Sequence, residues 1–168
     1  MAYDIRPSAA ADIPRMLEIF QIAKTHMRAE GNLRQWKDYP KAEQLLADIE
    51  KQQSYVMLED GEIVASFVFM LGEEPTYAYI EDGAWLNNEP YGTIHRIAGD
   101  GRHHGILRAA VDFGRRYVSN IRLDTHERNI SMKNAAEKLG FFRCGTIYVS
   151  DANSDHEPRV AYQLLPEA

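Results

Sequence analysis

The chain has 168 residues, 45% of them apolar, and its 19 Lys and Arg against 25 Asp and Glu give a formal charge of −6. That is the size of one domain, able to bury about two thirds of its unfolded surface without covalent staples. A single cysteine, Cys144, excludes an intrachain disulfide and a multi-cysteine zinc site, and the acidic balance argues against a general nucleic-acid binder, which needs a basic surface to meet phosphates.

The first fifteen residues carry Asp4, Arg6 and Asp12 and no apolar stretch, so no secretory signal is expected, and a reducing, cytoplasmic setting is. The longest apolar run, Ile63 to Leu71, is interrupted by Ser66 and falls far short of the roughly 20 residues a spanning helix needs. No membrane span is expected.

Tyr3 to Arg6 alternates as a short strand. Ile13, Met16, Leu17, Phe20, Ala23 and Met27 then recur at steps of three and four, with Pro14 in the first turn and Gly31 past the last, which predicts an amphipathic helix. A shorter helix is expected from near Pro40 through Ile49. Ser54 to Glu59 and Glu62 to Leu71 flank Asp60-Gly61, the dipeptide favoured in two-residue type I′ hairpins, so they form an antiparallel pair. Tyr77 to Ile80 reads as a weaker strand and Gly92 to Ala98 as a further one.

A helix with the stripe Leu107, Ala110, Val111, Gly114 and Val118 follows, then a strand from Ile121 to Thr125 and a helix from Asn129 to Leu139 stopped by Gly140. Phe141 to Val149 and Arg159 to Leu165 close the chain as paired strands around a polar loop. The order β-α-α-β-β-β-β-α-β-α-β-β predicts a single α/β domain over residues 1–168, with a mixed sheet and helices on its faces.

The segment Gly99-Asp100-Gly101-Arg102-His103-His104-Gly105 carries the most information about function. A helix N-terminus exposes unsatisfied N–H groups and the positive end of a dipole, so acids normally fill its first turn. Here Arg102, His103 and His104 fill it, and no acid follows until Asp112. A phosphate resting on the loop amides, approached closely because of Gly101 and Gly105, would resolve that conflict; a surface turn with solvated charges is the alternative. The Walker and Rossmann fingerprints are both missing.

These residues resemble the GNAT superfamily of acetyl-CoA-dependent N-acetyltransferases, whose signature Arg/Gln-x-x-Gly-x-Gly/Ala stands here as Arg102-His103-His104-Gly105-Ile106-Leu107, departing at its last position. The strand His95-Arg96-Ile97-Ala98 is similar to the family's pantetheine-binding strand. Asp124 to Asn129, Met132 and Lys138-Leu139-Gly140-Phe141 match its second signature, and Gln35-Trp36 and Tyr39-Pro40 resemble a segment between its first two helices. Element by element the likeness runs the whole chain and implies a GNAT-like fold, a mixed and mostly antiparallel sheet with helices on both faces.

The resemblance implies that two central strands splay apart and that the pantetheine arm of acetyl-CoA adds to one of them along Ile97, Ala98 and Gly99. The pyrophosphate would rest on the amides of His103, His104, Gly105 and Ile106, with Arg102 adding charge and Asn129 bonding the arm from across the cleft. The implied reaction is direct attack by a primary amine, of a small molecule or a protein, with the Ile97 N–H polarising the thioester carbonyl.

Many family members place a tyrosine four residues before the Leu-Gly-Phe glycine to protonate the leaving thiolate; this chain has Ala136 there, with Tyr148 as a substitute candidate. A thiol titrates near 8.5, so a thiolate leaves without a dedicated acid. His95 and His126 are the candidate bases, beside a water chain from Glu81 or Glu89 and the reading of each histidine as a packed residue. Trp36, Tyr39, Trp85 and Tyr91 are candidates for the acceptor wall, or simply core aromatics. Glu73, Glu74, Glu81 and Asp82 would suit a cationic acceptor if they border the cleft.

A non-catalytic acyl-CoA-binding or regulatory module is the rival reading, since Ala136 permits lost turnover. Exposed edges at the C-terminal strands leave room for a homodimer. The alternation Asp151, Asn153, Asp155, Glu157 lacks the glycine and the final glutamate of a calcium loop, and no histidine pair has zinc-site spacing, so no metal is expected.

Overall fold

The computed structural model describes residues 3–33, 35–37, 40–149 and 158–167. In chain order these form β1 (Asp4–Pro7), a 3-10 turn (Ala10–Asp12) opening α1 (Ile13–Ala29), α2 (Ala42–Glu50), β2 (Ser54–Glu59), β3 (Glu62–Leu71) and a second 3-10 turn (Pro75–Tyr77). There follow β4 (Tyr91–Gly99), α3 (Ile106–Gly114), β5 (Asn120–His126), α4 (Ile130–Leu139), β6 (Phe142–Tyr148) and β7 (Pro158–Leu164).

Local chemistry sets most of these boundaries. Pro14 lies in the first turn of α1, and Gly31 takes φ +86° just past its end. Asp60 and Gly61 both have positive φ, as a type I′ turn requires, and join β2 to β3. The Asn129 side chain accepts from the Met132 amide to cap α4, and Gly140 ends that helix at φ +100°.

One expected strand is absent. Pro75 sits at the first position of the 3-10 turn, whose free amide at Thr76 is capped by the Glu74 side chain at 3.2 Å, so the chain coils where a strand over Tyr77 to Ile80 was expected. Tyr77 is buried as a core plug rather than as a ladder residue, and only Glu81 makes an isolated bridge, to Thr146.

The seven strands lie in the order β1-β2-β3-β4-β5-β7-β6. Every neighbouring pair is antiparallel except β4 and β5, which run parallel and pair only at Tyr91/Asn120, Gly92/Ile121 and Thr93/Arg122. Period-two alternation sends Val56 and Ala98 toward α1 and α2 on one face, and Met57, Phe67 and Phe69 toward α3 and α4 on the other. Phe113 of α3 anchors the second face, meeting Tyr55, Phe67 and Phe69 at ring distances of 4.6, 5.7 and 6.1 Å. The Phe69 ring of β3 packs so closely that a Cβ on Gly92 of β4 would lie 2.5 Å from it and one on Gly114 of α3 2.7 Å from it.

Candidate active site

Past Thr93, β4 continues to Gly99 and β5 to His126 with no ladder between them, and the gap opens a cleft through the sheet. β4 also carries an extra residue here: Ala98 pairs with Ser66 and His95 with Val68, so Arg96 and Ile97 together face Phe67. Arg96 adopts φ +46°, a conformation costly for a side-chain-bearing residue. It is held by a two-pronged ion pair to the buried Asp48 of α2, Nε to Oδ2 at 2.8 Å and Nη2 to Oδ1 at 2.7 Å. A helix on one face therefore fixes a bulge at the cleft edge, where β4 keeps β3 on one side but has no β5 partner beyond Thr93.

Two cavities meet at that bulge. One, of about 630 Å³, runs beneath the 101–106 loop and α4; the other, of about 380 Å³, lies under the 74–76 segment and the end of α2. Met27, Ile97, Asn129 and Met132 line both, so the two adjoin at these residues.

Ile97, Ala98, Gly99, His103, His104, Gly105, Ile106 and Asn129 all border the larger cavity, whereas Arg102 is exposed and does not. The loop brings its own acid. Asp100, buried, accepts from the amides of Arg102 at 2.9 Å and His103 at 3.1 Å and from His103 Nδ1 at 2.8 Å, an Asx-type turn. α3 begins only at Ile106, so Arg102, His103 and His104 precede its first turn rather than fill it; Asp100 meets part of their charge and faces the His103 amide.

His103 Nε2 also lies 2.6 Å from Glu59, and Asp100 foremost, then Glu59, raises the His103 pKa. Burial alone would raise the Asp100 pKa; the Arg102 and His103 donors outweigh it and hold that carboxyl below the usual range. The amides from His104 to Arg108 have no acceptor among the described residues, and Gly105, at φ +73°, opens α3 with free space above its Cα. Arg108 and Lys138 add positive charge to the same wall, which the sequence reading missed.

On the smaller side stand Trp36, His95, Glu74, Asp124, Thr125 and Arg159. His95 Nε2 is 2.9 Å from Glu74 Oε2. Burial pushes the Glu74 pKa up, but His95 and Thr76 more than reverse it, bringing it to about 2. Asp124 accepts from the hydroxyl of the fully buried Tyr77 at 2.6 Å. The Thr125 hydroxyl, also fully buried, has no partner among the described residues. Asn129 Nδ2 reaches Gln35 Oε1 at 3.4 Å, and the same oxygen accepts from Asn32 at 2.8 Å.

Other candidates are placed elsewhere. Trp85 and Tyr91 line neither cavity; they sandwich the Arg122 guanidinium at 4.2 and 4.0 Å from their ring centres. His126 accepts the Arg128 amide on Nδ1, so its neutral ring carries the proton on Nε2 and has no lone pair to offer. The Tyr148 hydroxyl is bonded to Glu81 on the surface, and that bond raises its pKa. Ala136 is fully buried in the core. Tyr39 and the 151–157 loop lie outside the described residues. Among the described residues, no group of three His, Cys, Asp or Glu is placed to hold a metal, and no helix is long and apolar enough to cross a membrane.

No family model and no curated protein matches the chain. Solved structures do. A GNAT-family acetyltransferase from Streptococcus agalactiae 2603 is 29% identical and superposes with a TM-score of 0.85 over 99% of this chain and 96% of that one. The yncA protein of Salmonella typhimurium, solved with its cofactor acetyl-CoA, is 19% identical with a TM-score of 0.61 over 98% and 94%. A ribosomal-protein-alanine N-acetyltransferase from Brucella melitensis is 18% identical with a TM-score of 0.63 over 96% and 99%.

Proposed function

We propose that this chain, a GNAT-superfamily acetyltransferase by fold, transfers an acetyl group from acetyl-CoA to a primary amine by direct attack within a ternary complex. The observation that carries this reading is the pair of adjoining cavities at the bulge, with orphan loop amides at one end and a histidine bonded to a carboxylate at the other.

What supports a diphosphate here is that the amides of His104, Gly105 and Ile106 lack acceptors among the described residues, Gly105 leaves room for close approach, and Arg108 and Lys138 supply counter-charge. Asp100 takes the His103 amide, so that residue holds the loop rather than the anion. The unpaired edge of Ile97, Ala98 and Gly99 presents main-chain donors and acceptors to an extended polar arm, and Asn129 faces them from the start of α4. When bound, acetyl-CoA supplies an activated thioester carbonyl.

The Ile97 N–H, set at the bulge, polarises that carbonyl; losing one such donor costs acyl-transfer sites on the order of 10² to 10³ in rate. His95 removes the amine proton. With Ala136 buried and Tyr148 bonded to Glu81, no side chain of this protein is assigned as the acid for the departing thiolate. The acceptor occupies the smaller side beside Trp36, Glu74 and Asp124, two carboxylates that favour a cationic amine.

Thermal unfolding with acetyl-CoA, CoA and ATP tests the cofactor: ligand at 100 times its Kd adds about 2.7 kcal/mol. Stabilisation by ATP but not by CoA overturns the reading. Release of free thiol across a panel of amines then tests turnover, and silence across it favours the acyl-CoA-binding module instead.

A further inference from the structure

His95 lies on β4 immediately before the bulge, partly buried on the wall of the smaller cavity. Glu74, which it contacts, is fixed from three more directions. Its Oε1 accepts from the Thr76 amide at 3.2 Å and the Thr76 hydroxyl at 2.9 Å, and its own amide donates to the Tyr91 hydroxyl at 2.8 Å. The Tyr77 ring, centred 6.2 Å from the imidazole and bonded through its hydroxyl to Asp124, closes another side. An ionised carboxylate can only accept, so the His95–Glu74 contact puts the ring proton on Nε2 and leaves the lone pair on Nδ1.

We propose that Glu74 is a positioning residue for acetyl transfer, holding His95 in the Nε2-protonated tautomer so that Nδ1 takes the proton of the attacking amine. The inference rests on the acetyl-transfer reading above. As the N–C bond forms and the C–S bond breaks, the electron pair leaves with sulfur as thiolate and the amine proton passes to Nδ1; the imidazolium then loses it to water. No oxidant or further reactant is required.

The other charged groups on the cavity wall are Asp124, the mutually paired Asp48 and Arg96, Lys51 and Arg159. Glu74 is the carboxylate in contact with the ring, at 2.9 Å. A purely structural tie between the 74–76 segment and β4 would change stability alone.

The test is Glu74→Gln, which keeps an acceptor oxygen but removes the charge, read first by 15N NMR of the histidines. In wild type the neutral ring carries its proton on Nε2, and in Glu74→Gln, whose amide can also donate, the Nδ1-protonated form gains population; a wild-type ring protonated on Nδ1, or a tautomer ratio unchanged by the substitution, overturns the proposal. With an amine that turns over, kcat drops about tenfold or more while the KM for acetyl-CoA stays, and Glu74→Asp recovers part of the loss. A kcat indifferent to Glu74 overturns the positioning role alone. A wild type that binds acetyl-CoA yet releases no thiol with any amine overturns turnover itself, and the base with it.

Discussion

The Asp48→Asn substitution addresses the device that shapes the cleft. Asp48 is 4% exposed and takes both prongs of Arg96, itself held at φ +46°. Removing one partner of a buried pair costs about 3–5 kcal/mol; because the Arg96 side chain keeps 20% of its exposure, we expect the lower end, about 3 kcal/mol. At about 2–4 °C per kcal/mol for a chain of this size, Tm falls by about 6–12 °C.

The comparison is Arg143→Gln, which removes an exposed pair with Glu127, both side chains half in solvent, and costs less than about 1 kcal/mol. Urea unfolding measures both variants. A relaxed bulge also re-aims the Ile97 N–H, so the acetyl-CoA thermal shift shrinks in Asp48→Asn beyond the loss of stability. If that variant unfolds within about 1 kcal/mol of wild type and keeps its full acetyl-CoA shift, the ion pair does not set the cleft.

Gly105→Glu abolishes the acetyl-CoA thermal shift, because it puts a carboxylate at the orphan amides and a side chain at φ +73°; an unchanged shift removes the diphosphate from that loop. His103 has a raised pKa in the folded state, so its contribution is complete below the unfolded value of 6.5 and fades as pH rises through the folded value. Tm therefore declines from pH 6 to 9 more steeply in wild type than in His103→Gln, and parallel curves would refute the carboxylate clamp. Gly92→Ala forces a methyl to 2.5 Å from the Phe69 ring and lowers stability by about 1–3 kcal/mol in chemical denaturation, with no change expected in the loop.

The contrast between what was legible and what was not follows the range of the interactions. The Asp60-Gly61 hairpin, the α1 stripe and the Gly140 stop each rest on contacts a few residues apart, and each is present. Asp100 was legible in principle, since an aspartate two residues before an open amide is an Asx-turn signal. The strand expected over Tyr77 to Ile80 was misread because Tyr77 is apolar to plug the core beside Trp85, not to alternate in a ladder.

Sequence alone determined the element order apart from one strand, because helix periods, turn dipeptides and helix stops act within one or two turns of chain. Only the tertiary structure decided which charges meet: Glu74 with His95, Asp48 with Arg96 and Arg122 between Trp85 and Tyr91 are separated by 21, 48 and, for Arg122, more than 30 residues. Coulombic and stacking partners are chosen by the sheet order and by the gap between β4 and β5. No periodicity along the chain encodes either.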